Sequence, residues 1–255
     1  MNQSSTLGTD HRYLFPAGPQ RQAGLLVDTS RCGPQSSLRL LEPDSYRDAA
    51  ERIQGRGGRG AAWFVSGPFG RGVLRHYRRG GWLSRFDTGW YVWSGEGNAR
   101  CVREYRLLRA LRAQGLPVPA PIAAGWWRHG PLYRQALLIE RIEGARTLAQ
   151  LMAEQPQRAP WEGVGQTIAR FHRAGVWHAD LNAHNILRDA QGSLWLIDFD
   201  KSRQGHITRE ECEQNLLRLR RSLLKLQPEH GEAGWQRLYA AWLIAMGSTR
   251  PSLSR

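Results

Sequence analysis

The sequence predicts an α+β protein in two parts. A small antiparallel sheet with one helix occupies the first part, and helices around a polar loop and hairpin make up most of the second. Three observations predict it. Apolar runs of strand length alternate with Gly- and Pro-containing turns between residues 61 and 139. One uninterrupted helical pattern, residues 98–114, lies among them and is stopped by Gly115 and Pro117. Beyond residue 160 apolar residues recur at spacings of three and four, broken only where His178-Ala-Asp180-Leu-Asn182-Ala-His184-Asn185 and Ile197-Asp198-Phe199-Asp200 flank two short apolar runs.

Residues 1–43, rich in Gly, Pro, Ser and Gln, read as a partly ordered extension. Its first twenty or so residues are expected to be poorly ordered, and its one strand candidate is Leu25–Asp28. The small sheet-bearing lobe is expected over 44–140 and the helical lobe over 141–255. Asp44 can cap a short helix through Ile53. Gly55-Arg-Gly57-Gly-Arg-Gly60 follows, and then strands at Ala61–Val65 and Gly72–Tyr77. After the helix and Pro117-Val-Pro-Ala-Pro121, a hairpin is expected with Ile122–Trp127 and Gln135–Ile139 around Arg128-His-Gly-Pro131; it exits through Glu140-Arg-Ile142-Glu-Gly144, which joins the two lobes. Trp161, Val164, Ile168 and Phe171 mark the core face of a helix closed by Gly175. Thr208-Arg-Glu-Glu211 is a capping box that opens a long helix ending near Gln227-Pro228, and Trp235, Leu238, Tyr239, Trp242 and Met246 mark a final one.

The chemistry sits between these helices. Asn185-Ile-Leu-Arg188 and Leu194-Trp-Leu-Ile197 flank Asp189-Ala-Gln-Gly192, a turn-rich tetrapeptide that signals a β-hairpin. Closing that hairpin brings Asn185 and Asp198 side by side, two oxygen ligands suited to Mg²⁺. Asp180, five residues before Asn185, can then face a substrate hydroxyl. The spacing H-x-D-x-x-x-x-N followed by D-F is that of the kinase template, in which the first Asp takes the hydroxyl proton while the Asn and the second Asp hold the metal. On the same template the backbone of Glu140 and Ile142 can meet an adenine edge. Gly57 and Gly60 can let backbone N–H groups approach phosphates, although the preceding residues read as helical rather than extended.

Glu104 shares a helix face with Cys101, Leu107, Leu108 and Leu111, which places a carboxylate in an apolar stripe where it needs a partner. Strand alternation puts Val73, Arg75 and Tyr77 on one face, and Arg75 is the expected partner, gripping Glu104 through a bidentate fork.

Composition narrows the setting. Three cysteines, Cys32, Cys101 and Cys212, lie far apart without C-x-x-C spacing, so neither a disulfide framework nor a zinc site is indicated, and a reducing cytoplasm is expected. No signal-peptide pattern opens the sequence, and its longest apolar stretch, Tyr239–Met246, is far below spanning length. The formal net charge of +14, carried almost wholly by Arg, favours an anionic partner: nucleic acid, an acidic membrane surface, or a phosphorylated or carboxylated substrate. No repeated aromatic-basic motif supports nucleic acid, so none is expected as a partner.

On Leu74-Arg-His-Tyr-Arg-Arg-Gly-Gly81, Gly115-Leu-Pro-Val-Pro119, Trp177–Asn185 and Trp195–Asp200, the chain resembles the protein-kinase-like superfamily. Within it the resemblance is to the bacterial 3-deoxy-D-manno-octulosonic acid (Kdo) kinases of lipopolysaccharide core assembly, and it covers about Trp63 to Leu224. It implies a two-lobed protein-kinase-like fold in which the helix of residues 98–114 takes the αC position. It also implies Asp180 as catalytic residue, Asn185 and Asp198 as metal ligands, and transfer of the γ-phosphoryl of ATP, with Mg²⁺, to the 4-hydroxyl of lipid-linked Kdo. Arg78, Arg79 and Arg85 are then suited to the anionic substrate, and the setting is peripheral, on the cytoplasmic side of the inner membrane, against an anionic membrane surface and with no obligate protein partner evident. Three positions depart from the general kinase pattern: Arg75 replaces a Lys, Asn182 replaces the catalytic-loop Lys, and Asp200 replaces the Gly of Asp-Phe-Gly. Only nine residues separate Asp198 from Thr208, too few for a protein-substrate activation segment. A kinase for another small molecule or a lipopolysaccharide heptose is the alternative within enzymes, and a non-catalytic basic binding module the alternative outside them.

Overall fold

The computed structural model describes residues 10–16, 21–53, 62–77 and 89–247. They divide into two compact units, one formed by residues up to Ala113 with Ala120–Arg141, the other by Gln114–Pro119 with the chain from Ile142 onward.

The first unit is built on an antiparallel sheet of eight strands. They are β1 (Asp10–Pro16), β2 (Arg21–Asp28), β3 (Ala50–Arg52), β4 (Ala62–Gly67), β5 (Gly70–His76), β6 (Tyr91–Val92), β7 (Pro121–His129) and β8 (Leu132–Glu140). Their order is β1-β2-β7-β8-β5-β4-β3, with β6 added to β8. Two tight hairpins set the register: Gly67 pairs Gly70 across the β4–β5 turn, and His129 pairs Leu132 across Gly130-Pro131. A short helix, α1 (Thr29–Cys32), follows β2, and α2 (Arg100–Ala113) packs on β7 and β8. Alternation divides the sheet's side chains between two faces. Leu25, Val27, Val65, Leu74, Ile122 and Leu138 join Leu41 and Phe69 in one buried cluster, while α2 buries Cys101, Val102, Tyr105, Leu108 and Leu111.

Two expectations are corrected here. The helix expected from Asp44 through Ile53 is a 3₁₀ segment, Pro43–Ala49, followed by strand β3, which pairs residue by residue with β4 from Ala50↔Val65 to Arg52↔Trp63. Ladder hydrogen bonds to a strand on the far side of the glycine segment override the local helical pattern, and so the glycine segment connects two antiparallel strands. Gly57 and Gly60 themselves lie outside the described residues. The second correction is β1, within a stretch expected to be poorly ordered. It pairs along its whole length with β2, and Tyr105 Oη and Arg109 Nη1 reach Asp10 Oδ1 at 2.7 and 3.3 Å. Its first three residues, Asp10, His11 and Arg12, are polar and it stands at an edge, so periodicity carries little signal there.

The second unit holds α3 (Leu148–Glu154), α4 (Trp161–Arg173), α5 (Arg209–Leu226) and α6 (Pro228–Ala245). Its short strands are β9 (Arg146–Thr147), β10 (Val176–Trp177), β11 (Ile186–Arg188), β12 (Leu194–Leu196) and β13 (Arg203–Gln204). Both capping boxes are complete, Thr147 with Gln150 and Thr208 with Glu211. The α4 stripe of Trp161, Val164, Ile168 and Phe171 is buried, and α4 meets α6 so closely that a Cβ at Gly165 would lie 2.1 Å from the Leu238 carbonyl oxygen. Gly175, at φ 72°, ends α4 in the left-handed conformation that a side chain disfavours, and it hands the chain to β10 and the polar loop.

Candidate active site

The loop from His178 to Asn185 is fixed by hydrogen bonds that its own short polar side chains make. Asn182 Nδ2 and Asn185 Nδ2 both donate to the Asp180 carbonyl, at 3.0 and 2.9 Å, and Asn182 Oδ1 accepts from the His184 N–H at 2.8 Å. Nδ2 of Asn185 is thus committed to the loop backbone, and no hydrogen bond to its Oδ1 occurs among the described residues. The expected hairpin closes with Ile186↔Leu196 and Arg188↔Leu194, and the Ile197 N–H donates to the Asn185 carbonyl at 3.1 Å. Asp198 therefore leaves the hairpin beside Asn185. Its φ of 63° is a left-handed conformation uncommon for any residue but glycine, Asp and Asn being the side chains that tolerate it best.

Buried side chains hold this loop from behind. His178, 2% exposed, accepts the Asp180 N–H on Nδ1 at 3.2 Å, so Nε2 carries the proton and donates to the Ile197 carbonyl at 3.0 Å. One neutral imidazole thus links the residue of the loop carboxylate to the residue preceding Asp198. His172 is fixed the same way: the Trp242 indole N–H donates to Nδ1 at 3.0 Å, so Nε2 donates to Asn215 Oδ1 at 3.3 Å. Asn215 Nδ2 in turn donates to the His178 carbonyl at 2.6 Å. Burial disfavours the charged imidazolium, lowering His178 and bringing His172 down to about 4. Phe199 stacks on Phe171 and meets the His178 ring edge-on.

The α5 helix supplies contacts that motif reading missed. Asn215, Arg218 and Ser222, spaced three and four apart on one helix face, all reach the loop. Besides the Asn215 bonds, Ser222 Oγ accepts the Ala183 N–H at 3.2 Å, and Arg218 places Nε and Nη2 3.0 and 2.5 Å from Asp180 Oδ1. The polar members at i, i+3 and i+7 of a helix opened by a capping box were the available signal.

Within the first unit, Arg75 Nη2 lies 2.7 and 2.6 Å from the two carboxylate oxygens of Glu104, whose side chain is 2% exposed. One nitrogen bridges both oxygens there, where two nitrogens in a fork were expected. Tyr77 Oη adds a donor at 2.5 Å to Glu104 Oε2. This third member was legible in the alternation that aligned Val73, Arg75 and Tyr77. Burial, and after it the Glu104 charge, push the Tyr77 phenol well above its ordinary value.

The Glu140 N–H is committed to the Ala120 carbonyl at 2.8 Å, and its carboxylate lies 3.5 and 3.7 Å from Arg31 and Arg112. An adenine contact at Glu140 can therefore use only its carbonyl. Ile142 is half-buried, and its backbone joins none of the described hydrogen bonds. Arg78, Arg79 and Arg85 lie outside the described residues. Among the described residues no group of three or more His, Cys, Asp or Glu could hold a metal ion. Mg²⁺ commonly takes only one or two protein oxygens and fills its shell with phosphate and water, so a cluster of that size is not what such a site requires.

A family model described as the lipopolysaccharide kinase (Kdo/WaaP) family matches residues 45–242. A 3-deoxy-D-manno-octulosonic acid kinase from Xanthomonas oryzae pv. oryzae (strain PXO99A) is 48% identical over 238 residues, covering 92% of this chain and 95% of that protein. One from Stenotrophomonas maltophilia (strain K279a) is 49% identical over 228 residues, covering 89% and 91%.

Proposed function

Because the chain belongs to the lipopolysaccharide kinase (Kdo/WaaP) family, whose fold is protein-kinase-like, we propose that it phosphorylates a hydroxyl of Kdo with ATP. The proposed acceptor is Kdo linked to a lipid A precursor in lipopolysaccharide core biosynthesis, and the proposed position is the 4-hydroxyl. What supports this reading is the short chain of hydrogen bonds that ties the backbones of Asp180, Asn185 and the residue before Asp198 together. The Asn185 amide is bonded to the backbone of Asp180, and its carbonyl to the residue preceding Asp198.

In this reading Asp180 orients the acceptor hydroxyl and takes its proton. The hydroxyl oxygen bonds to the γ-phosphorus, the bond from phosphorus to the bridging oxygen breaks, and ADP leaves. Asn185 Oδ1 and the Asp198 carboxylate would hold Mg²⁺, which supplies neutralisation of phosphate charge. The α5 contacts and the His178 bridge keep these side chains in place before substrate arrives, so the protein contributes positioning and electrostatics rather than covalent chemistry. Arg75 serves phosphate neutralisation, held on Glu104; backbone groups of Ile142 and the Glu140 carbonyl serve the adenine edge; and Gly57 and Gly60 serve the phosphates.

The +14 charge supports an anionic acceptor and association with the anionic inner face of the bacterial membrane, with Arg78, Arg79 and Arg85 receiving the acceptor. No helix among the described residues is long and apolar enough to cross a membrane, so the association proposed is peripheral.

Incubation with γ-labelled ATP and Kdo-bearing lipid A precursor, followed by mass spectrometry, tests the proposal. One added phosphate on Kdo is expected, lost on chelating divalent metal and abolished in Asp180→Ala. Near-normal transfer by Asp180→Ala refutes the assignment.

A further inference from the structure

Arg218 stands apart from the other cations of α5 in what it touches. Its Nε and Nη2 converge on one oxygen of Asp180, Oδ1, and Oδ2 accepts none of the described hydrogen bonds. A fork spent on a single oxygen leaves the second carboxylate oxygen for the acceptor hydroxyl. It also leaves Nη1 and one Nη2 hydrogen without a described partner, on a side chain 46% exposed. These donors lie beside the atom to which the reacting hydroxyl must come. Arg221 and Lys225 follow three and seven residues later, within about 60° of Arg218 around the helix. Both are exposed and form none of the described ion pairs, whereas Arg220, facing elsewhere, is bonded to Glu232 at 3.0 and 2.9 Å. The sequence also lacks the usual catalytic-loop lysine, with Asn182 in its place and turned back onto the loop backbone.

We propose that Arg218 selects the acceptor: it holds Asp180 through one carboxylate oxygen and pairs its remaining N–H groups with the carboxylate of an acidic sugar. Arg221 and Lys225 continue the cationic face toward further anionic groups of the same molecule. The inference rests on the reading of the chain as a Kdo kinase, and it names the side chain that distinguishes the acid from a neutral sugar. Planar guanidinium suits this double duty because its edges can address two carboxylates at once, which an ammonium point charge cannot do in fixed geometry.

The test compares Kdo with its methyl ester as acceptors for the full chain, using γ-labelled ATP and calorimetric dissociation constants for wild type, Arg218→Gln and Arg218→Lys. The wild type is expected to prefer the acid by about 10- to 100-fold, the scale of one or two charge-assisted hydrogen bonds. In Arg218→Gln the preference falls to near unity because the acid loses affinity while the ester does not, and Arg218→Lys restores part of it. If Arg218→Gln turns over too slowly to assay, the ratio of dissociation constants reads the same preference. An acid preference retained in Arg218→Gln overturns the role of Arg218 and leaves the kinase reading standing. Transfer to neither acceptor by the wild type, with Asp180-dependent ATP hydrolysis intact, overturns the acceptor assignment and this inference with it.

Discussion

Replacing Arg75 with Leu separates two contributions that the native structure combines. The Glu104 side chain is 2% exposed and has Arg75 Nη2 within 2.7 Å of both oxygens, so the substitution removes the cation from a buried carboxylate. Removal of one partner of a buried ion pair costs about 3–5 kcal/mol, because the remaining charge keeps its desolvation penalty without the cation that offset it. In the double variant Arg75→Leu, Glu104→Leu that penalty disappears. Among the described hydrogen bonds, what remains is the Tyr77 hydroxyl without its acceptor, about 1–3 kcal/mol. The double variant is therefore expected to be more stable than Arg75→Leu alone by about 2 kcal/mol, which corresponds to about 4–8 °C in Tm at this chain length. Urea and thermal unfolding followed by fluorescence of the eleven Trp residues reads this directly. A double variant as unstable as Arg75→Leu, or less stable, refutes the claim that the pair exists to compensate a buried charge.

Acid tests the buried imidazoles. His172 is brought down to about 4 in the fold against about 6.5 unfolded, so between those values the unfolded chain binds the extra proton and stability falls as pH drops. The loss is about 2 kcal/mol at pH 5, and it is expected to be smaller in His172→Phe; equal losses in the two proteins would discard the assignment. Gly165→Ala sets helix propensity, worth about 1 kcal/mol in favour of Ala, against a Cβ placed 2.1 Å from the Leu238 carbonyl oxygen. The clash is with backbone and is expected to win by about 1–3 kcal/mol, so a variant more stable than wild type would show that α4 and α6 can separate freely.

Much of the site was legible because it is local. Asp180, Asn185 and Asp198 lie within nineteen positions of one another, and a turn-rich tetrapeptide between two apolar runs is enough to bring the last two together. Glu104 declared itself as a carboxylate in an apolar helical stripe, and strand alternation named its partner. The helix through Arg100–Ala113 and the helix capped at Thr208 were readable for the same reason, since caps and 3.6-residue periodicity act within a few residues. Strand β3 was misread as helix because a three-residue strand exists only through the partner ladder it joins. The edge strand β1 escaped because its order comes from β2 and from Tyr105 and Arg109 on a distant helix.

The sequence by itself determined the candidate groups, their spacing and the elements that carry them, since backbone preference, capping and apolar periodicity are short-range. Only the tertiary structure decided how those groups are held. Asn215, Arg218 and Ser222 reach the loop across more than thirty positions of sequence, and His172 and Trp242 are joined across seventy. Such contacts follow from how α4, α5 and α6 pack, and packing depends on the summed fit of many side chains, which no local pattern contains.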